Sequence, residues 1–160
     1  MNSPKKAAIS IGKMISSPVE HVLVQTMTST ATLDTLATLA QIIRAEKAGA
    51  QLIRISARNV QEATHLAIIK KELHKQGCFI PLIADIHFNP KAAEVAAKIV
   101  EKVRINPGNY VDRNTGKTHW TKAENDLELQ RIKARLAPLV EICKTHNTAI
   151  RVGVNYGSLS

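Results

Sequence analysis

Residues 82–90 read Leu82-Ile83-Ala84-Asp85-Ile86-His87-Phe88-Asn89-Pro90, an apolar run whose end carries polar side chains spaced two residues apart. Alternate residues of a β-strand share one face of a sheet, so the side chains of Asp85 and His87 are predicted to point together. Asn before Pro is typical of a helix start, with Asn as the cap and Pro at the first helical position. The stretch therefore predicts a buried strand that leads directly into a helix.

Four other apolar runs end in the same way, at residues 22–27, 52–56, 103–106 and 150–155. Their paired polar or functional ends are Gln25 and Met27, Arg54 and Ser56, Arg104 and Asn106, and Arg151 and Asn155. Helical patterns separate the runs, over about residues 33–47, 59–77, 89–100 and 123–145. This alternating order predicts parallel strands joined by right-handed crossovers.

Two architectures have this order of elements, the doubly wound open sheet and the (β/α)8 barrel. A doubly wound nucleotide-binding fold usually has a glycine-rich turn after its first strand, and residues 27–31 contain no glycine. Barrel enzymes collect their functional groups from the C-terminal ends of several strands, which is the pattern seen here. We therefore predict an α/β chain that forms a partial (β/α)8 TIM barrel, with about its first five strands and four helices.

The whole of residues 1–160 is expected to belong to this one barrel portion. Within residues 1–20 we expect an N-terminal hairpin that pairs residues 9–11 with residues 19–23. Thr32 is the expected cap of the first helix, and Pro138 is expected to kink or divide the fourth.

Composition favours a protein with anionic partners. The chain has a net charge of +9, yet aromatic residues make up 3%, which leaves few stacking platforms for nucleic acid. No apolar stretch is long enough to span a membrane, and the first residues lack a secretory signal, so a bacterial cytoplasmic location is expected. Cys78 and Cys143 stand alone, which predicts no zinc or iron–sulfur ligand set in this chain.

The most informative charges are Arg54, Arg104 and Arg151, because they lie inside apolar strand runs. Burying an unpaired guanidinium is costly, and one of the three could pair with Asp85 for structural reasons alone. Three arginines exceed the visible supply of acids, which favours a bound polyanion held by planar guanidinium groups.

The polar ends of the other runs leave more than one interpretation open. Asp85 could orient the imidazole of His87 or bind a substrate hydroxyl, and the two side chains could also bind a metal. A capped strand-to-helix turn explains Asn89 fully and Asp85 partly. Near the end of the chain, Ser158 and its preceding glycine could offer backbone donors to a phosphate.

Taken together, five segments of the chain resemble the 4-hydroxy-3-methylbut-2-enyl diphosphate synthase family. They are residues 24–28, 53–55, 85–89, 104–109 and 151–159, and the resemblance spans about residues 9–160 in the family's order. Two departures are Thr26, where the family commonly has Ser, and Tyr156, where its longer forms often have His. The amino-acid sequence of residues 84–90 and the long loop after Asn109 resemble the longer, three-domain form of this family.

The resemblance implies a barrel that binds methylerythritol cyclodiphosphate and a separate domain with a 4Fe–4S cluster held by three Cys and a Glu. Ferredoxin or flavodoxin would supply two electrons, and the full-length protein would be a homodimer. No nucleic acid or membrane partner is implied.

By motif match, the resemblance also implies roles for individual residues. Arg54, Arg104 and Arg151 would bind the diphosphate, and Asn106 and Asn155 would add hydrogen bonds to it. Asp85 and His87 would be the catalytic pair at the hydroxyl-bearing carbon chain. Met27, Asn89 and Ser158 complete the expected substrate-binding set.

The same resemblance implies that residues 1–160 are the N-terminal fragment of the enzyme, without the cluster ligands, the general-acid Glu or the last three strands. We therefore expect the isolated chain to be inactive and poorly soluble. Two alternatives remain at the level of sequence. One is another phosphate-binding barrel similar to dihydropteroate synthase, and the other is a basic nucleic-acid-binding module.

Overall fold

The computed structural model describes residues 8–16, 22–106, 110 and 121–153 of the chain. Its strands are β1 (Ile9–Ile11), β2 (Met14–Ser16), β3 (Gln25–Met27), β4 (Leu52–Ser56), β5 (Leu82–Asp85), β6 (Lys102–Ile105) and β7 (Ala149–Val152). Its helices are α1 (Thr35–Lys47), α2 (Val60–Lys75), α3 (Pro90–Ala96) and α4 (Lys122–His146). No helix of these described segments is long and apolar enough to cross a membrane.

The strands β3 to β7 form one parallel sheet in their order along the chain. The four helices and the strands bury one continuous apolar cluster, with Ile42, Ile55, Leu66, Val103 and Leu139 among its fully buried members. A doubly wound sheet would reverse its strand order and bury both faces under helices. Sequential order with helices on one face is the arrangement of a (β/α)8 barrel, so the predicted partial barrel is confirmed.

The side of the sheet that faces away from the helices is called the open face below. Strand alternation gives it Met27, Arg54, Asp85, Arg104 and Arg151, because the residues between them, such as Ile55 and Val103, lie in the helix-side cluster. The register places Asp85 beside Arg104 and Arg104 beside Arg151 on neighbouring strands. Polar ends that are far apart in sequence are therefore brought to one edge of one sheet.

The N-terminal hairpin joins a different pair of segments from the predicted one. β1 pairs antiparallel with β2, so that Ile9 opposes Ser16, whereas residues 19–21 of the predicted partner lie outside the described residues. The reason is the turn: Gly12 has a φ of 60°, which allows a two-residue hairpin loop of the type that glycine favours at its first position. Ile11 of the hairpin packs against Leu52 and Ile83 at the amino-terminal end of the strands, which covers that end of the open face.

The helices α2 and α3 start at the predicted caps. The side chain of Asn59 accepts a hydrogen bond from the backbone N–H of Glu62 at 2.8 Å, and the side chain of Asn89 accepts one from Ala92 at 3.2 Å. The prediction for α1 was wrong by two residues, since Asp34 caps it. Thr32 is buried and instead donates its hydroxyl proton to the carbonyl of Ser56 at 2.7 Å.

Helix α4 continues through Pro138, so of the two predicted outcomes, a kink or a division, the division was wrong. A proline removes one backbone hydrogen bond, and the residues after it compensate because Leu139 and Cys143 are buried in the helix-side cluster. The helix begins with a complete capping box, in which Thr121 and Glu124 bind each other's backbone N–H groups. It returns the chain to β7, whose Arg151 faces the open side.

Candidate anion-binding site

Asp85, the last residue of β5, is the centre of the charged groups on the open face. Its Oδ1 accepts a hydrogen bond from Nη1 of Arg104 at 3.1 Å. Its Oδ2 lies 3.6 Å from Nε of Arg54 and 3.4 Å from Nε2 of His87. The carboxylate side chain is only 4% exposed, so these three neighbours surround it almost completely. The arginine cluster, defined as Arg54, Asp85, His87, Arg104 and Arg151, is built around this one acid.

Arg54 approaches Asp85 from the neighbouring strand β4. Its Nε donates to the sulfur of Met27 at 3.2 Å, so the interaction with Asp85 at 3.6 Å is an ion pair without a direct hydrogen bond through that atom. Met27 was expected to line the pocket, and the structure gives it a second use as a support for the guanidinium. The Arg54 side chain remains 26% exposed, so part of it is accessible from solvent.

Arg104 is held from two sides. Besides its bond to Asp85, it donates from Nη2 to the carbonyl oxygen of Gly153 at 3.3 Å. A Cβ added at Gly153 would overlap Nε of Arg104, so a side chain at this position requires the guanidinium to move. The sequence reasoning missed Gly153, although a glycine inside a strand run is a known signal of close approach.

His87 and Asn89 follow β5 but serve different purposes. The imidazole of His87 is 43% exposed and contacts Asp85, so it combines access from solvent with an acidic neighbour. The amide oxygen of Asn89 caps α3, which is a structural role and leaves its NH2 group for a ligand. The prediction that Asp85 and His87 share a face agrees with their contact, whereas Asn89 is turned to the helix.

The remaining predicted residues divide between described and undescribed parts of the chain. Arg151 is exposed on β7 beside Arg104, and Asn106 is buried directly after β6. Asn155 and Ser158 lie outside the described residues, as does Tyr156. The structure therefore brings Met27, Arg54, Asp85, His87, Arg104 and Arg151 to one face and says nothing of Asn155 and Ser158.

One further cation on this face was missed. Lys102 precedes Arg104 by two residues on β6, and that spacing places it on the open face as well. Burial, together with the nearby guanidinium of Arg151, lowers the pKa of Lys102. The spacing was visible in the sequence, where Lys102 could have been read as part of the polar run.

The charges of the open face do not balance within the described strands. The described strands place four cations on the open face, Arg54, Lys102, Arg104 and Arg151. Asp85 is the only acidic residue in these strands. Four positive charges less one leave three. Such an excess in a partly shielded site attracts an anion with more than one negative charge.

The two cysteines do not fit a metal cluster. Cys78 and Cys143 are free and buried in the helix-side cluster, away from the open face. Burial raises the pKa of each thiol to about 11, which disfavours the thiolate that a metal requires. Among the described residues, no group of three or more His, Cys, Asp or Glu side chains could hold a metal ion.

A section of parallel barrel with charged and polar groups at the C-terminal ends of its strands defines a class, the (β/α)8 TIM barrels. The comparison with known families identifies the member of that class. The GcpE TIM-barrel domain matches residues 6–160, and the chain belongs to this family.

Three curated relatives of this chain are each named 4-hydroxy-3-methylbut-2-en-1-yl diphosphate synthase (flavodoxin). The protein from Parabacteroides distasonis is 47% identical over 99% of this chain and 26% of its own length. The one from Bacteroides thetaiotaomicron is 46% identical over 95% of the chain and 25% of its own length. The one from Chlamydia caviae is 42% identical over 96% and 26%. The chain thus spans about a quarter of the length of these relatives.

Proposed function

We propose that this chain forms the substrate-binding part of the barrel of a 4-hydroxy-3-methylbut-2-enyl diphosphate synthase. That enzyme is an oxidoreductase of the methylerythritol phosphate pathway to isoprenoids, and its substrate is methylerythritol cyclodiphosphate. One observation carries the proposal: Arg54, Arg104 and Arg151 share one face of a GcpE-family barrel with Asp85, the one carboxylate of the described strands.

The arginine cluster suits a cyclic diphosphate by charge and by geometry. A guanidinium presents a planar pair of N–H groups that matches two phosphate oxygens. Asp85, Met27 and the Gly153 carbonyl hold two of these guanidinium groups before any ligand arrives. Preorganised donors bind developing or existing charge at a lower cost, because they do not have to reorient.

Asp85 and His87 are proposed to have different roles near the carbon chain of the substrate. Asp85 is nearly inaccessible, so we assign it a positioning role that acts through Arg54, Arg104 and His87. His87 is accessible and is proposed to contact the hydroxyl-bearing carbon chain, where it can hold or transfer a proton. Asn106, Asn155, Ser158, Met27 and the NH2 group of Asn89 are proposed to complete the substrate contacts.

The reduction itself is assigned to the whole protein. A 4Fe–4S cluster, held by residues outside this chain, would supply the electrons, and flavodoxin is the proposed donor because the relatives are named after it. A homodimer in the bacterial cytoplasm remains a prediction of the resemblance. The isolated 160 residues are accordingly proposed to bind the substrate without converting it.

The binding part of the proposal is tested with inorganic pyrophosphate, titrated into the 160-residue chain by calorimetry. Arg151→Met should weaken binding by about tenfold or more, because a charge-assisted contact contributes about 1.5–3 kcal/mol. Arg44→Met, which removes the same charge from the exposed end of α1, should leave the affinity unchanged. Equal effects of the two variants would show that only net charge matters and would contradict the site.

The catalytic part is tested in a hybrid in which this chain replaces the segment that it matches in the Parabacteroides distasonis synthase. With reduced flavodoxin, the hybrid should convert methylerythritol cyclodiphosphate, and His87→Ala should lower kcat. A folded hybrid that binds pyrophosphate but never turns over the cyclodiphosphate would overturn the assignment. Tight, salt-sensitive binding of RNA that survives Arg54→Ala plus Arg104→Ala would favour the nucleic-acid alternative.

A further inference from the structure

Lys102 lies on the open face one layer below the arginine cluster. In the sheet register it stands between Ile83 of β5 and Ala149 of β7, while Arg104 and Arg151 stand beside each other one layer above. Ile83 and Ala149 belong to the apolar cluster that the hairpin residue Ile11 closes at the amino-terminal end of the strands. Lys102 therefore has apolar neighbours in its own layer and lies one layer from Arg151 of the adjacent strand.

Lys102 and Arg151 differ from the other two cations in their surroundings. Arg54 and Arg104 both contact Asp85. Neither Lys102 nor Arg151 has an ion pair or side-chain hydrogen bond with any other residue in the described part of the chain. Two effects lower the pKa of Lys102, its burial and the electrostatic repulsion from Arg151.

Two like charges that lie close together beside apolar residues disfavour the folded chain. Burial removes water from the charge of Lys102, and the charge of Arg151 repels the charge of Lys102. Such an arrangement becomes favourable when an anion lies between the two cations. It is also the arrangement that a diphosphate needs, because its two phosphates present separate negative charges to separate cations.

We propose that Lys102 and Arg151 form a second anion subsite, which holds one phosphate of the bound diphosphate while Arg54 and Arg104 hold the other. This inference rests on the proposed function and deepens it by dividing the cations between two phosphates. Asp85 balances the first subsite, whereas the second depends on the ligand for its counter-charge. Lys102 is therefore a substrate-binding residue that none of the five matched segments includes.

The experiment compares Lys102→Met with Lys71→Met, which removes the same charge from the exposed surface of α2. Both variants of the 160-residue chain are titrated with inorganic pyrophosphate and with inorganic phosphate. Lys102→Met should weaken pyrophosphate binding by about tenfold or more and phosphate binding much less, because a single phosphate can use the other subsite. Lys71→Met should change neither affinity.

A second readout separates ligand binding from a structural role. In the folded chain the pKa of Lys102 lies below its ordinary value, so its charge destabilises the fold at neutral pH. This cost begins to fall as the pH rises through the folded-state pKa and is gone above the ordinary value. Lys102→Met should therefore raise the midpoint of thermal unfolding at neutral pH while it lowers the affinity for pyrophosphate. A structural ion pair would give the opposite signature, with a lower midpoint and an unchanged affinity.

In the hybrid synthase, Lys102→Met should raise the KM for methylerythritol cyclodiphosphate by about tenfold and change kcat less. An unchanged KM together with an unchanged pyrophosphate affinity would overturn the second subsite. If Arg151→Met weakens pyrophosphate binding and Lys102→Met does not, the arginine cluster stands and only the division into two subsites fails. If neither variant weakens binding, the proposed function itself fails.

Discussion

Arg104 and Asp85 lie opposite each other on β6 and β5, and Nη1 of the arginine donates to Oδ1 of the carboxylate at 3.1 Å. Their side chains are 10% and 4% exposed, so the pair is almost removed from water. Removing one partner of such a pair leaves a buried charge without compensation. The arrangement therefore serves the fold and the site together.

Asp85→Asn should lower the free energy of unfolding by about 3 kcal/mol, because it leaves the guanidinium of Arg104 buried beside a neutral amide. Urea denaturation followed by circular dichroism measures the change. Asp126→Asn on the exposed surface of α4 is the matched control and should change stability little. A loss in Asp85→Asn no larger than in the control would show that the pair does not contribute to stability.

Gly153→Ala should weaken pyrophosphate binding by about tenfold, because the new Cβ overlaps Arg104 and displaces its guanidinium. The measurement is calorimetric titration of the wild type, Gly153→Ala, Arg104→Ala and the double variant. Since the alanine acts only through Arg104, it should have no further effect once that side chain is absent. Additive effects of the two substitutions would contradict the contact.

Glu62 links the end of β4 to the start of α2 and should make stability fall at acid pH. Its burial alone would raise its pKa, but hydrogen bonds from the Arg58 side chain and backbone outweigh this and lower the pKa below its ordinary value of 4.5. The folded-state pKa is depressed, so the contribution is complete above the ordinary value and is lost as the pH falls through the folded value.

Glu62→Gln should therefore reduce stability at pH 7 and flatten the loss of stability between neutral and acid pH. Urea denaturation at a series of pH values tests this. Glu141→Gln is the matched control, because that residue forms only an exposed pair with Lys144. The prediction is wrong if the two variants lose stability in parallel with the wild type as the pH falls.

Cys78 and Cys143 should react slowly with a thiol reagent in the folded chain. Both are buried, and burial raises the pKa of each to about 11, so little thiolate is present at pH 8. Absorbance after addition of a disulfide reagent should show two thiols only when urea unfolds the chain. Rapid reaction of either thiol at pH 8 without urea would show that the helix-side cluster opens.

Much of the fold follows from short-range patterns. The alternation of apolar runs with helical patterns predicts the order of elements, and Asn59 and Asn89 mark two helix starts because their caps are formed within three residues. The hairpin partner and the continuity of α4 through Pro138 were not predictable in this way. They depend on the φ of Gly12 and on the burial of Leu139 in a cluster formed by distant segments.

The site shows the same division. Period-two spacing in the sequence identified Arg54, Asp85, His87, Arg104 and Arg151, and the ends of parallel strands bring such residues to one edge. The contacts among them required the register of the sheet. Strand pairing sets Asp85 beside Arg104 and Arg104 beside Arg151, and nothing local in the chain encodes those neighbours.

The sequence by itself determined the class of fold, the face on which each strand residue lies and the excess of cations over acids, because these depend on residue type and spacing. The tertiary structure alone decided that Asp85 is shared by Arg54 and Arg104 and that Lys102 and Arg151 have no acid beside them in the described strands. The physical reason is that charge pairing depends on distances between atoms a few ångströms apart. Residues separated by tens of positions reach such distances only when the sheet has formed.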